Sequence, residues 1–175
     1  VPGSVTVARS NGVTLVAGVV DGAVATWLAD GDGWSAGLPE LGLDEVVSAR
    51  VAGTTTGFVL AAVARDGSGR LWSSTDGRGW SSLDVSDAGL DDGLAAVGVL
   101  TEVDEGDVVA AWLAGDATAE DVARDAEQVL VHRVEGNAVR PAGTIEADLA
   151  SAAMASSRAS GTAMRPILGS MVQNG

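Results

Sequence analysis

The chain contains no cysteine, no tyrosine and no lysine, and only one histidine, His132, and one phenylalanine, Phe58. Without cysteine there is no disulfide framework and no thiolate chemistry, although the compartment stays open. Without lysine a Walker-type nucleotide site is excluded. With one histidine, a zinc site built on several histidines or on a His–Cys cluster is impossible. A Ser–His–Asp arrangement would have to run through His132, and no nucleophile-elbow motif accompanies it. His132 therefore reads as a partly exposed strand residue. Positive charge is also scarce: ten arginines face 24 acidic residues, for a net charge of −14. Such a chain repels both a phosphate backbone and an anionic membrane surface. No apolar run approaches 18 residues, so no segment reads as a membrane-spanning helix. Val1 stands where a methionine would begin a nascent chain, as expected of a processed chain or a piece of a longer one.

What is present favours strands and turns. Hydrophobic residues make up 46% of the chain, enough to build a core, and 24 glycines favour many short elements over long helices. Five tryptophans carry nearly all the aromatic packing, among runs of Val, Ala and Leu that lean toward strand. Ser4 to Arg9 alternates as a short strand, and Asn11-Gly12 is a hairpin signal. Val13 to Val20, Asp21-Gly22 and Ala23 to Leu28 read as a second hairpin. The turn Asp30 to Gly33 leads to a shorter strand at Trp34-Ser35, and Leu43 to Val51 reads as the next strand.

The pattern then returns. Phe58 to Ala64 matches Thr14 to Val20, and the turn at Asp66-Gly67 matches Asp21-Gly22. Trp72 follows Trp27 by 45 residues, Trp80 follows Trp34 by 46, and Gly89-Leu90-Asp91-Asp92 follows Gly42-Leu43-Asp44-Glu45 by 47. Landmarks agreeing at a nearly constant offset mark an internal repeat. A third copy begins at Asp107, where Val108 to Asp116 is likened to Val24 to Asp30 and Trp112 takes the landmark position, 40 residues after Trp72. Residues 117–127 read as an insertion, either one or two helical turns capped by Thr118 with Asp121 or a solvated acidic loop. Strand pattern resumes at Gln128 to Val134, followed by a turn at Glu135 to Ala138. Thr144 to Leu149 is expected to approach a fourth unit, and the Ala/Ser-rich residues 150–175 to belong to that unit or to form a docking tail.

A period near 45 residues, four short strands per unit and tryptophan at a strand end predict an all-β, propeller-like array of antiparallel four-stranded blades. The expected units are about 4–50, 51–100 and 101–149, with a β-sandwich as the alternative. A closed ring typically takes four or more blades. Three and a fraction must therefore be completed by the termini, by the rest of a larger propeller or by another chain.

Within the second unit, Ser74-Thr75-Asp76-Gly77-Arg78-Gly79-Trp80 resembles the Asp-box turn of sialidase-like and related propellers. Ser74, Asp76 and Trp80 match that pattern in kind, with the glycine at 77 or 79 and Trp80 one residue early. The likeness extends over about residues 14–100. It implies a structural turn at Ser74, Asp76, Gly77 and Trp80, in which the Asp76 carboxylate accepts backbone N–H bonds and Trp80 packs between blades. Sialidase-like enzymes use a tyrosine nucleophile, and its absence here argues against their chemistry.

Calcium is the metal best suited to the acidic turns, with Asp30 and Asp32 as ligands or, as a second place, Asp104, Glu105 and Asp107. Neither stretch carries a full calcium loop, and an Asp turn that bonds its own backbone is the simpler reading. The expected function is a non-enzymatic, secreted or surface-exposed module that binds a protein or glycan or serves in assembly. Two alternatives stand beside it: a glycoside hydrolase using an Asp/Glu pair, and a structural subunit of a virion or large surface assembly.

Overall fold

A computed structural model of the chain describes residues 5–31, 33–104, 106–115 and 128–146. These residues form twelve strands in three four-stranded antiparallel sheets. Sheet 1 holds β1 (Thr6–Ser10), β2 (Val13–Val20), β3 (Ala23–Asp30) and β4 (Gly33–Gly37). Sheet 2 holds β5 (Val46–Thr54), β6 (Gly57–Ala64), β7 (Gly69–Ser74) and β8 (Ser81–Ser82). Sheet 3 holds β9 (Leu94–Asp104), β10 (Asp107–Ala114), β11 (Gln128–Glu135) and β12 (Ala138–Glu146). In each sheet the strands lie in chain order, an up-and-down meander. Three such sheets stacked face to face are blades of a propeller, not the two layers of a sandwich.

The hairpins follow from turn chemistry. Asn11-Gly12 and Asp21-Gly22 join β1 to β2 and β2 to β3 with positive φ at both residues, the two-residue turn whose twist suits antiparallel strands. Glu45 also has positive φ, at 49°, so the expected strand from Leu43 begins only at Val46. The first strands lie side by side, β1 against β5 and β5 against β9. The unit limits expected near residues 50 and 100 fall inside β5 and β9, which open the second and third sheets.

Two apolar seams hold the blades together. Every residue of β6 is buried, because the strand serves both seams. Phe58, Leu60 and Ala62 join Trp72 in the seam with blade 1, facing Leu15, Ala17, Val24 and Leu28. The alternate residues Val59, Ala61 and Val63 face Leu94, Val108, Ala110 and Trp112 in the seam with blade 3. A continuous apolar run is what a strand covered on both faces requires.

Hydroxyl groups set the register of the seams. Thr6 Oγ1 accepts the Val51 N–H at 3.0 Å, and Ser48 Oγ accepts the Val97 N–H at 3.2 Å. Arg50 Nε adds a bond to the Val97 carbonyl at 2.7 Å. Gly53 lies so close to blade 1 that an added Cβ would collide with the Arg9 carbonyl.

The third blade departs from the expected register. Leu94 to Leu100 and Val46 to Ala52 both lie on first strands, as the repeat implies. Val108 to Ala114, however, is the second strand of its blade, whereas Val24 to Asp30 is a third strand. Trp112 pairs with Val97 and Leu130 and is not the positional equivalent of Trp27 and Trp72. The two strings share a local apolar pattern, but the partners on either side decide the place in the sheet. Thr144 to Glu146 complete β12 and open no new unit. Pro141 is tolerated there because β12 is an edge strand and the register shifts at its partner His132. The expected insertion at 117–127 and the segment 150–175 lie outside the described residues.

Candidate functional site

The turn after β7 uses its own side chains as backbone acceptors. Asp76 Oδ1 accepts the Arg78 N–H at 2.8 Å, the Gly79 N–H at 3.0 Å and the Ser74 hydroxyl at 3.2 Å. Ser74 Oγ in turn accepts the Gly77 N–H at 2.8 Å. Gly77, at φ 76°, presses into the seam with blade 1, where a Cβ would meet Leu28 Cδ1 at 2.6 Å. Trp80 packs against the apolar cluster of that seam. The four residues thus form one structural unit that seats the loop of blade 2 on blade 1.

Other acidic residues act in the same local way. Asp66 bonds Ser68 and Asp84 bonds Ser86, each two residues on. Glu102 spans farther, accepting the N–H groups of Thr55 in blade 2 and Gly106 in its own hairpin at 3.0 and 2.9 Å. All four carboxyls are held below their ordinary pKa. The cause is the Ser68 hydroxyl and then its amide for Asp66, and the amides of Arg78 and Gly79 for Asp76. It is the Ser86 amide for Asp84 and the amides of Thr55 and Gly106 for Glu102. A glycosidic general acid needs the opposite displacement.

The landmark tryptophans occupy distinct places. Trp72 is 4% exposed in the first seam and Trp112 is fully buried in the second. In the second seam Trp112 lies against Gly69, where an added Cβ would come within 3.1 Å of its ring. Trp27 and Trp34 lie on blade 1, with Trp34 62% exposed. Asp32 and the side chain of Asp30 lie outside the described residues, as do Glu105 and the side chain of Asp104. Among the described residues no group of three His, Cys, Asp or Glu side chains converges to hold a metal.

His132 is 3% exposed, in place of the partial exposure expected of it. Its Nε2 donates to the Ala88 carbonyl at 2.7 Å, its ring stands edge-on to Trp112, and Nδ1 is buried with no partner. Burial holds its pKa below the ordinary value, against the Ala88 carbonyl, which raises it. The linker after β8 folds back over blade 3 to supply that carbonyl, and nothing local in an alternating strand announces it.

A cleft of about 460 Å³ lies between blades 2 and 3. Thr54, Thr56, Ser73, Thr75 and Ser81 bring hydroxyl groups to it, and Asp107 brings a carboxylate. Asp107 pairs with Arg133 at 3.6 Å. The floor is apolar, formed by Phe58, Val59 and Val134. Hydroxyls that both donate and accept, an acceptor carboxylate and an apolar floor suit a ligand carrying several hydroxyls on a hydrocarbon ring. The sequence singles out Ser74 with its turn and, as a candidate metal ligand, Asp107; the other wall residues are scattered along the chain and only folding joins them.

No protein-family model matches the chain, and no curated protein matches it. Solved structures do match. The SapL1 lectin in complex with α-methyl fucoside aligns with a TM-score of 0.56 at 14% identity, over 82% of this chain and 47% of that one. A variant of the Aleuria aurantia lectin in complex with Fucα1-6GlcNAc aligns with a TM-score of 0.53 at 10% identity, over 82% and 48%. The likeness is one of fold. This chain spans about half the length of the lectins it matches.

Proposed function

We propose that the chain is a non-enzymatic, secreted or surface-exposed propeller module whose cleft between blades 2 and 3 binds a neutral glycan. The observation that carries this reading is the hydroxyl-lined cleft, with Asp107 as its carboxylate and an apolar floor beneath. Its fold likeness to lectins in complex with fucosides supports the same class of ligand. The Asp-box resemblance enters as a structural role for Ser74 and Asp76, whose turn contributes to one cleft wall. A net charge of −14 favours a neutral or basic ligand over an anionic one.

Calorimetric titration with a panel of neutral methyl glycosides, α-methyl fucoside among them, tests the proposal. The expected result is saturable binding by at least one glycoside, lost when Thr56→Trp fills the cleft. Absence of binding across the panel, or binding indifferent to Thr56→Trp, sinks the assignment.

A further inference from the structure

The outer faces of blades 1 and 3 are built like seams but have no blade against them among the described residues. On blade 1 the cross-strand row Val7, Val16, Trp27 and Ala36 points away from blade 2. Trp34 shares that face through its pairing with Ala29. The repeat-related tryptophans of blade 2 show what such a face does. Trp72 and Trp80, at the positions of Trp27 and Trp34, fill the seam with blade 1, and Trp72 is 4% exposed there. On blade 1 Trp34 is 62% exposed and Val7 65%, while Trp27 is partly buried.

Blade 3 carries the opposite kind of face. Blade 1 offers Leu15 and Ala17 to blade 2, and blade 2 offers Val59, Ala61 and Val63 to blade 3, each a row on the second strand of its blade. The corresponding row on β10 is Val109, Ala111 and Leu113, which points away from the buried Val108, Ala110 and Trp112. It continues through its strand partners to Val99 and Ile145, 51% and 56% exposed. The chain therefore presents a tryptophan-bearing face at one end and a tryptophan-receiving face at the other.

We infer that a second copy of this chain closes the ring, blade 3 of each copy seating against blade 1 of the other. The contact repeats the internal seams, with Trp27 taking against the partner the place that Trp72 takes between blades 2 and 1. A head-to-tail contact of this kind closes when the rotation between copies is a whole fraction of a turn. Three blades matched to about half of a lectin chain set that fraction at one half. The inference goes beyond glycan binding and does not depend on it.

Sedimentation equilibrium of the 175-residue chain at micromolar concentration provides the test. The expected mass is twice 17.4 kDa, with association tightened by added salt because each copy carries −14. Trp34→Arg on one face and Ile145→Arg on the other are each expected to give a monomer with an unchanged far-ultraviolet circular dichroism spectrum. Both sites are more than half exposed, which keeps the variants foldable. A monomeric parent chain, a trimer or an open polymer overturns the inference. So does a dimer that only one of the two variants dissociates, since that contact would join like faces.

Discussion

Ser74 and Asp76 share one turn: the Ser74 hydroxyl donates to Asp76 Oδ1 at 3.2 Å while its oxygen accepts the Gly77 N–H at 2.8 Å. The pair holds the three successive amides of Gly77, Arg78 and Gly79 and sets the depth at which the loop enters the seam between blades 1 and 2.

Removing the carboxylate exposes this role. Asp76→Ala deletes the acceptor of two backbone amides and is expected to cost about 1–2 kcal/mol, comparable to loss of a helix cap. Asp76→Asn, which keeps one acceptor oxygen, should cost less. Urea denaturation at neutral pH measures both, and a neutral effect for Asp76→Ala contradicts the staple.

The same turn predicts an acid limb. Asp66, Asp76, Asp84 and Glu102 all have lowered pKa values in the folded chain. Their contribution is fully present above the ordinary carboxyl values of 3.8 and 4.5, and is lost as pH falls below them through the depressed folded values. Urea midpoints measured from pH 5.5 down to 2.5 should fall across that window. The fall should be shallower in Asp76→Asn; equal slopes in the two proteins would contradict it.

Gly77 and Gly79 separate packing from loop flexibility. Gly77→Ala places a methyl group at positive φ and 2.6 Å from Leu28 Cδ1, and is expected to cost about 2–3 kcal/mol. Gly79→Ala meets nothing within 4 Å and should be nearly neutral. Thermal unfolding of the two variants provides the comparison, and similar shifts in both would refute the close approach at Gly77.

A second pH window belongs to His132. Its folded pKa lies below the ordinary 6.5, so protonation favours the unfolded chain. Stability is therefore complete above about pH 7.5 and declines as pH falls through the unfolded value near 6.5 toward the folded one. His132→Gln can retain a donor for the Ala88 carbonyl while removing the titration. Its urea midpoint should be flat between pH 7.5 and 5, where that of the parent chain slopes; a parallel slope in both assigns the effect elsewhere.

The seam hydroxyls give a further prediction. Ser48→Ala leaves the buried Val97 N–H without its acceptor, and Thr6→Val does the same to the N–H of Val51. Each is expected to cost about 1–2 kcal/mol, the penalty of an orphaned backbone donor. Hydrogen exchange at Val97 should accelerate in Ser48→Ala and remain unchanged in Thr6→Val. Equal protection at Val97 in the parent chain and Ser48→Ala would oppose that role for Ser48.

Much of the architecture is legible from local chemistry. Asn11-Gly12 and Asp21-Gly22 specify their turns, and the unbroken run from Phe58 to Ala64 anticipates a strand buried on both sides. The third blade is less legible, because VAAWLA and VATWLA carry the same local pattern on different strands of their blades. Their places are set by partners distant in sequence, which periodicity does not encode. The same applies to the cleft. Thr56, Ser81 and Asp107 have no motif in common and meet only because blades 2 and 3 stack. His132 is hidden by a carbonyl 44 residues earlier in the chain.

Trp72 in the first seam, Trp112 in the second and Trp27 on the outer face of blade 1 have an optical consequence. With no tyrosine in the chain, excitation at 280 nm reaches only tryptophan among the phenolic and indole side chains. Single-tryptophan variants retaining Trp72 or Trp112 would each report the wetting of one seam as a red shift in emission. Arrays held together by contacts between neighbours can open seam by seam. The two spectra would reveal whether the blades separate in sequence or all together.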